Sequence, residues 1–185
     1  MPGPLAGPAR LRPFALDDWQ RTLPWRSDPE LRNLLLGYRF PVTAEKEQDW
    51  VRKIVTDNGN CRCVYAVESA ADGELVGFVQ LVGMELIDRH AELGICIAAE
   101  GRRHAGLGSH ALQLLLAQAF DVFNLNRVWV RVAGFNTRGQ GFFVKNGFVP
   151  EGCFRSHVYV DGQYHDVLLF GLLADDWRVV PPVAG

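Results

Sequence analysis

The hydrophobic period of the chain changes twice between residues 91 and 133, and no other feature limits its fold as closely. "AELGICIA" (91–98) alternates as a strand does. Past a glycine-bearing loop, Leu112, Leu115, Leu116, Ala119, Phe120 and Phe123 recur at helical spacing, and "RVWVRVA" (127–133) alternates again. The result is a strand-helix-strand unit whose helical stripe is core. Hairpins flank it on both sides: "CRCVYAVE" and "LVGFVQLV" join across "SAADGE", with Asp72–Gly73 as the turn, and "FRSHVYV" and "QYHDVLLFGLL" turn at Asp161–Gly162. The order implies a mixed α/β (α+β) fold with antiparallel hairpins at each end.

The remaining segments fit around that frame. A short strand is expected near "ARLRPF", two short helices opened by Asp17–Asp18 and by Ser27 with Pro29, and a third helix capped by Thr43. In the third helix Glu45 and Glu47 favour the positive N-terminal end, Trp50, Val51, Ile54 and Val55 share one face, and Asn58–Gly59 stop it. "TRGQGFFVKN" reads as a short helix closed by Gly147, with Gly139 and Gly141 in place of better helix formers. A length of 185 residues with 48% hydrophobic content suits one domain, here 9–178, with flexible ends at 1–8 and 179–185.

Charge and cysteine content exclude several functions. With 19 basic against 21 acidic side chains, no overall field draws the chain to nucleic acid or to an anionic membrane, so any anion site is local. No apolar run reaches the roughly 18 to 20 residues that span a bilayer, and "MPGPLAGPAR" lacks the apolar core of a secretory signal; a cytoplasmic protein is expected. Cys61, Cys63, Cys96 and Cys153 are irregularly spaced in or beside strand-like segments, where a free thiol behaves as a small hydrophobe. The Cys61-x-Cys63 pair has no finger-like partner, and no metal is expected.

The loop "EGRRHAGLGS" before the long helix invites comparison with phosphate-binding motifs. A P-loop needs Gly-Lys before Ser or Thr, and here Gly108 meets Ser109 with no lysine. Gly106-Leu107-Gly108-Ser109-His110-Ala111 satisfies G-x-G-x-x-G/A. However, the acidic residue a dinucleotide fold places about 20 positions on is replaced by a strand carrying Arg131, and the loop does not follow the first strand of a repeated parallel unit. Arg131 facing a 2′-phosphate would be the remaining argument for a nicotinamide-dependent oxidoreductase.

A third motif fits the context. Arg103-x-x-Gly106-x-Gly108 between a strand and a long helix resembles the R/Q-x-x-G-x-G/A signature of the GNAT (GCN5-related) N-acetyltransferases. "VRVAGFNTRGQGFFVKNGFVPEG" is similar to that family's next strand, Asn-x-Arg turn and closing helix. "LRPFALDDW", "RHAELGI" and the final hairpin extend the resemblance along nearly the whole chain, toward the branch of RimJ/RimL-type ribosomal-protein acetyltransferases and spermidine acetyltransferases. The resemblance implies a mixed, mostly antiparallel sheet of about seven strands, helices on both faces and a splay between the central strands. It also implies acetyl-CoA as co-substrate and an amine as acceptor: a protein N-terminus, polyamine, amino acid, amino sugar or other small amine. A homodimer is left open.

The residues can be read for that chemistry. Backbone N–H groups of Arg103, His104, Ala105, Gly106, Leu107, Gly108 and Ser109 lie at a helix N-terminus, where unpaired donors and the helix dipole favour a pyrophosphate. Arg102 and Arg103 are equally well read as exposed surface arginines. By resemblance, the backbone around Cys96, Ile97 and Ala98 pairs with the pantetheine arm, and Asn136 and Arg138 contact the arm from the other side; Asn136 also suits a plain Asx-turn residue. Deprotonating an ammonium calls for a carboxylate acting through water, and Glu92 on the central strand is the candidate, against a strand-edge salt bridge with Arg89 or His90. Many relatives carry a tyrosine proton donor where this chain has Phe143. Either water serves, or His157, Tyr159, Tyr164 or His165 does, or the protein is an acyl-CoA-binding module with little transfer activity. Trp19, Trp25, Tyr38 and Phe40 are candidates for an acceptor wall, and equally for core.

Overall fold

In the computed structural model, which describes residues 7–36, 40–57, 61–98 and 106–179, the alternating segments assemble into a seven-stranded sheet of order β1-β2-β3-β4-β5-β7-β6. β1 (Ala9–Pro13), β2 (Arg62–Ser69), β3 (Leu75–Glu85) and β4 (His90–Ile97) pair antiparallel with one another in that order. So do β5 (Arg127–Ala133), β6 (Val149–Val160) and β7 (Gln163–Leu173), with β7 in the middle. The two halves meet along β4 and β5, which pair in parallel. The hairpin turns form where the glycines allow them: Gly73 has φ 72°, and Asp161 and Gly162 have φ 50° and 82°, the two positive angles a type I′ turn needs.

Strand alternation sends side chains to two cores. Ala66, Phe78 and Cys96 face one side of the sheet, under α1 (Trp19–Ser27), α2 (Pro29–Leu34) and α3 (Ala44–Val55), with Trp50 edge-on to both Phe14 and Phe78. Val67, Val79, Leu81, Leu93, Val128 and Val130 face the other. There α4 (Leu107–Ala117) and the turn after it bury the stripe Leu112, Leu115, Leu116, Ala119 and Phe120, beside Phe143 of α5 (Thr137–Lys145) and Ala174 of α6 (Ala174–Val179).

Several local expectations are corrected. Ser27 closes α1, and it is Asp28 that caps α2, its Oδ1 accepting from the N–H groups of Glu30 (2.8 Å) and Leu31 (3.3 Å). Thr43 caps α3 as expected, but Val55 is exposed and Glu47 is fully buried. Glu47 accepts from the Thr22 hydroxyl (2.5 Å) and lies 3.0 Å from Arg26 Nε; burial pushes its carboxyl up, while Thr22 and Arg26 partly oppose the shift. The long apolar helix ends in a π-helical turn, Gln118–Val122, which leaves Phe123 half-buried. β6 begins at Val149, five residues before the expected strand, and α6 was not anticipated. Trp177 holds α6 in place, its ring 5.3 Å from Phe120 and its Nε1 donating to Gln113 (3.1 Å). Toward the two ends, Pro8 accepts from Ala70 N–H (2.8 Å), and Val179 completes α6. Residues 1–6, 180–185, Tyr38 and Asn58–Gly59 lie outside the described residues.

Candidate active site

The parallel ladder between β4 and β5 lasts for three pairs, His90 with Arg127, Ala91 with Val128 and Glu92 with Trp129, and then stops. Beyond it β4 stays with β3 and β5 turns to β7, so the sheet splays open. A cleft of about 630 Å³ occupies the gap, walled by residues 93–97 on one side and 130–132 on the other. Ala98 N–H donates to Val76 O (2.9 Å), and a Cβ at Gly77 would collide with the Cys96 carbonyl, so the even-numbered backbone groups of β4 face β3. By alternation, Leu93, Ile95 and Ile97 present their N–H and C=O groups to the splay. Of the residues expected at the pantetheine arm, Cys96 and Ile97 line the cleft, with the Cys96 backbone turned to β3, and Ala98 is buried outside the cleft wall.

Two helices start at this cleft. Gly106 is the N-cap of α4 with φ 73°, a conformation that glycine adopts without penalty, and no described side chain caps α4. The N–H groups of Leu107, Gly108 and Ser109 find no acceptor among the described residues. Gly106, Gly108 and Ser109 line the cleft, whereas the Leu107 side chain is core. Arg102, Arg103, His104 and Ala105 lie outside the described residues. α5, by contrast, is capped from within: Asn136 Oδ1 accepts from Gly139 N–H (2.8 Å). A Cβ at Gly139 would press on Asn136 Nδ2 at 2.6 Å, which explains that glycine, while Gly141 faces open space. Asn136, Arg138 and Lys145 also line the cleft.

Glu92 lines it too, where the ladder ends. Its oxygens accept from Arg131 Nε (2.7 Å) and Nη2 (3.2 Å), so its salt-bridge partner is Arg131 rather than Arg89 or His90. The register accounts for this pair, because Glu92 opposite Trp129 puts residue 131 one step along on the same face. Phe143 is 5% exposed, edge-on to Phe142 and Phe148, and lines the cleft. His157, Tyr159, Tyr164 and His165 lie along the β6–β7 hairpin, and none of them lines the cleft. His165 packs on Phe135 (4.9 Å), and Tyr159 packs on Tyr164 (5.0 Å). Of the four aromatic candidates, Trp19 and Trp25 are half-buried against the core under α1–α3, Phe40 is 68% exposed, and Tyr38 lies outside the described residues.

A splayed sheet with a bare strand edge and an uncapped helix at its mouth defines a site for a long, partly anionic ligand, and comparison with known proteins narrows it. Residues 9–149 match the acetyltransferase (GNAT) domain family. The chain is 32% identical over 171 residues to the putative ribosomal N-acetyltransferase YdaF of Bacillus subtilis, covering 91% of this chain and 87% of that protein. It is 30% identical over 120 residues to the spermidine N(1)-acetyltransferase of Vibrio cholerae, covering 65% and 67%. The fold superposes with a TM-score of 0.83 on the crystal structure of spermidine N-acetyltransferase from Vibrio cholerae in complex with CoA and spermine, at 22% identity over 92% of this chain and 98% of that one. The chain belongs to the GNAT acetyltransferase family. It is an acyltransferase whose co-substrate is acetyl-CoA, and the nicotinamide reading is set aside.

Proposed function

We propose that the protein transfers the acetyl group of acetyl-CoA to a primary amine by direct attack in a ternary complex. The observation that carries this reading is the ladder's end at Glu92 and Trp129, which bares one edge of β4 inside a cleft mouthed by an uncapped helix. Acetyl-CoA supplies an activated thioester and a pyrophosphate. In this reading Leu107, Gly108 and Ser109 donate their N–H groups to the pyrophosphate, with Arg103, His104 and Ala105 just before them and with Arg138 and Lys145 as cations on the wall. The backbone of Ile95 and Ile97 takes the pantetheine amides, and Phe143 packs beneath the arm.

Glu92 acts as a base through water, using the oxygen lone pairs that Arg131 leaves open, while Arg131 fixes the carboxylate's direction. No polar group stands where the family's tyrosine would, so water protonates the thiolate, which its ordinary pKa near 8.5 permits. The named acceptors of the relatives divide between ribosomal proteins and spermidine, and the acceptor here is an amine of that general kind. The cytoplasm, where acetyl-CoA is made and the four free cysteines stay reduced, suits the reaction. The test measures thiol release from acetyl-CoA against an amine panel, with calorimetry of acetyl-CoA in parallel. Glu92→Gln is expected to lower kcat about 100-fold with acetyl-CoA affinity unchanged; equal kcat would remove Glu92 from the chemistry.

A further inference from the structure

On the α1–α3 side of the sheet, a small pocket of about 170 Å³ opens beside the cleft. Trp25, Trp50 and Phe78 form its apolar wall, and the Arg26 guanidinium there is already matched by the buried Glu47, 3.0 Å from Nε. Five described residues line both spaces and so form the doorway between them: Leu35, Gln80, Gly94, Ile95 and Cys96. Among these five, Gln80 carries the one side-chain carboxamide, a group with both an oxygen acceptor and N–H donors.

Gln80 stands opposite Gly94 in the β3–β4 register. A Cβ at Gly94 would meet Gln80 Nε2 at 2.7 Å and two of its side-chain carbons at 3.0 and 3.3 Å, so the side chain of Gln80 lies across β4 in the space that a side chain at 94 would take. A glycine inside a strand weakens it and marks a place where another group comes close. Here that group is the amide. β4 separates β3 from the splay, and the crossing carries the amide from β3 to the edge of the cleft. Glu92 precedes Gly94 by two residues on the same face of β4, roughly 7 Å along the strand, with its carboxylate held by Arg131. Gln80 is half-buried, and its amide makes no hydrogen bond to another described residue. Packing over Gly94 thus gives the amide a place, and no described neighbour uses its polar atoms.

We propose that Gln80, laid over Gly94, holds the nitrogen of the acceptor amine as it enters the cleft, its Oε1 accepting an N–H. The inference rests on the acetyl-transfer reading above, to which it adds a direct contact with the nucleophile. A neutral carboxamide suits that task. The amine must lose a proton before it attacks, and a carboxylate in direct contact would favour the ammonium and oppose that loss, whereas an amide directs the nitrogen with less bias toward its charged form. Glu92, acting through water, takes the proton from one water away. Holding the nitrogen at the doorway orients it toward the thioester, and orientation of a reacting pair lowers the barrier to attack.

The test measures thiol release from acetyl-CoA with spermidine, phenethylamine and a short peptide amide bearing a free N-terminus, and the best of these serves as the probe. Gln80→Met keeps the length of the side chain and removes the amide. Its kcat/KM for the probe amine is expected to fall about 10- to 100-fold, the range of one hydrogen bond to a charged group, while acetyl-CoA affinity by calorimetry and the melting temperature stay at their wild-type values. Gly94→Ala puts a methyl group where the amide lies. It should cause a loss of the same order in the wild type and little further loss in Gln80→Ala, where that space is free, because two changes acting through one contact do not add. A merely structural role would instead lower the melting temperature and weaken acetyl-CoA binding together with the rate. Wild-type kcat/KM in Gln80→Met, a loss matched by weaker acetyl-CoA binding, or full additivity of Gly94→Ala with Gln80→Ala overturns the inference and leaves acetyl transfer standing. No thiol release with any amine, while acetyl-CoA still binds, overturns the transfer reading and this inference with it.

Discussion

Two helices open onto the same cleft, and they end differently. α5 closes its own N-terminus with the Asn136 side chain on Gly139 N–H, whereas α4 begins at a left-handed glycine with no side-chain cap among the described residues. A helix N-terminus carries unpaired donors and a partial positive charge, and a cap uses up part of both. The uncapped helix is therefore the one suited to an anion, and the capped helix is a wall. Two glycine-bearing segments ahead of helices thus end in different N-termini.

The substitution expected to act most strongly on this contrast is Gly106→Val. A β-branched residue at φ 73° is strained and covers the approach to the α4 donors, so acetyl-CoA should bind on the order of 100-fold more weakly by calorimetry. Wild-type affinity would put the pyrophosphate elsewhere. Asn136→Ala tests the other helix: loss of the cap should cost about 1 kcal/mol in denaturant unfolding, with a small rise in KM for acetyl-CoA. A large KM effect at unchanged stability would mean that Asn136 serves the ligand more than the helix, and the contrast would collapse.

Phe143→Tyr probes the wall between them. Phe143 lines the cleft, and with the new hydroxyl facing it stability should stay within about 1 kcal/mol, and kcat should hold or rise. Abolished turnover would show that the ring leaves no room there, and would direct the search for a donor to His157, Tyr159, Tyr164 and His165.

The smallest effect concerns pH. Burial raises the Glu47 carboxyl, so the folded protein binds that proton more tightly than the unfolded chain does, and its contribution to stability is lost as pH rises through the raised value. Glu151, drawn down by its hydrogen bonds to Arg127, has the opposite sign: its contribution is present above the ordinary carboxylate range and is lost as pH falls. Glu47→Gln should therefore flatten the decline above the ordinary glutamate range in pH-dependent melting and leave the acid limb in place.

Much of the molecule was legible in the sequence because local rules govern it. The seven strands, the glycine turns at Gly73 and Gly162, the Thr43 cap and the buried stripe from Leu112 to Phe120 follow from period, turn chemistry and capping, which operate within a few residues. The loop before α4 was recognisable for the same reason: two glycines ahead of a helix leave donors exposed whatever the rest of the chain does. Other features depended on which strand lies beside which. That Glu92 meets Arg131, that Ile95 and not Cys96 turns its backbone to the splay, and that Glu47 is buried against Arg26 and Thr22 rather than solvated are long-range facts. They are set by register and by the stacking of α1 on α3, and the residues involved are up to 39 positions apart in the chain. Periodicity assigns a side chain to a face, but only the packed structure decides what it meets there.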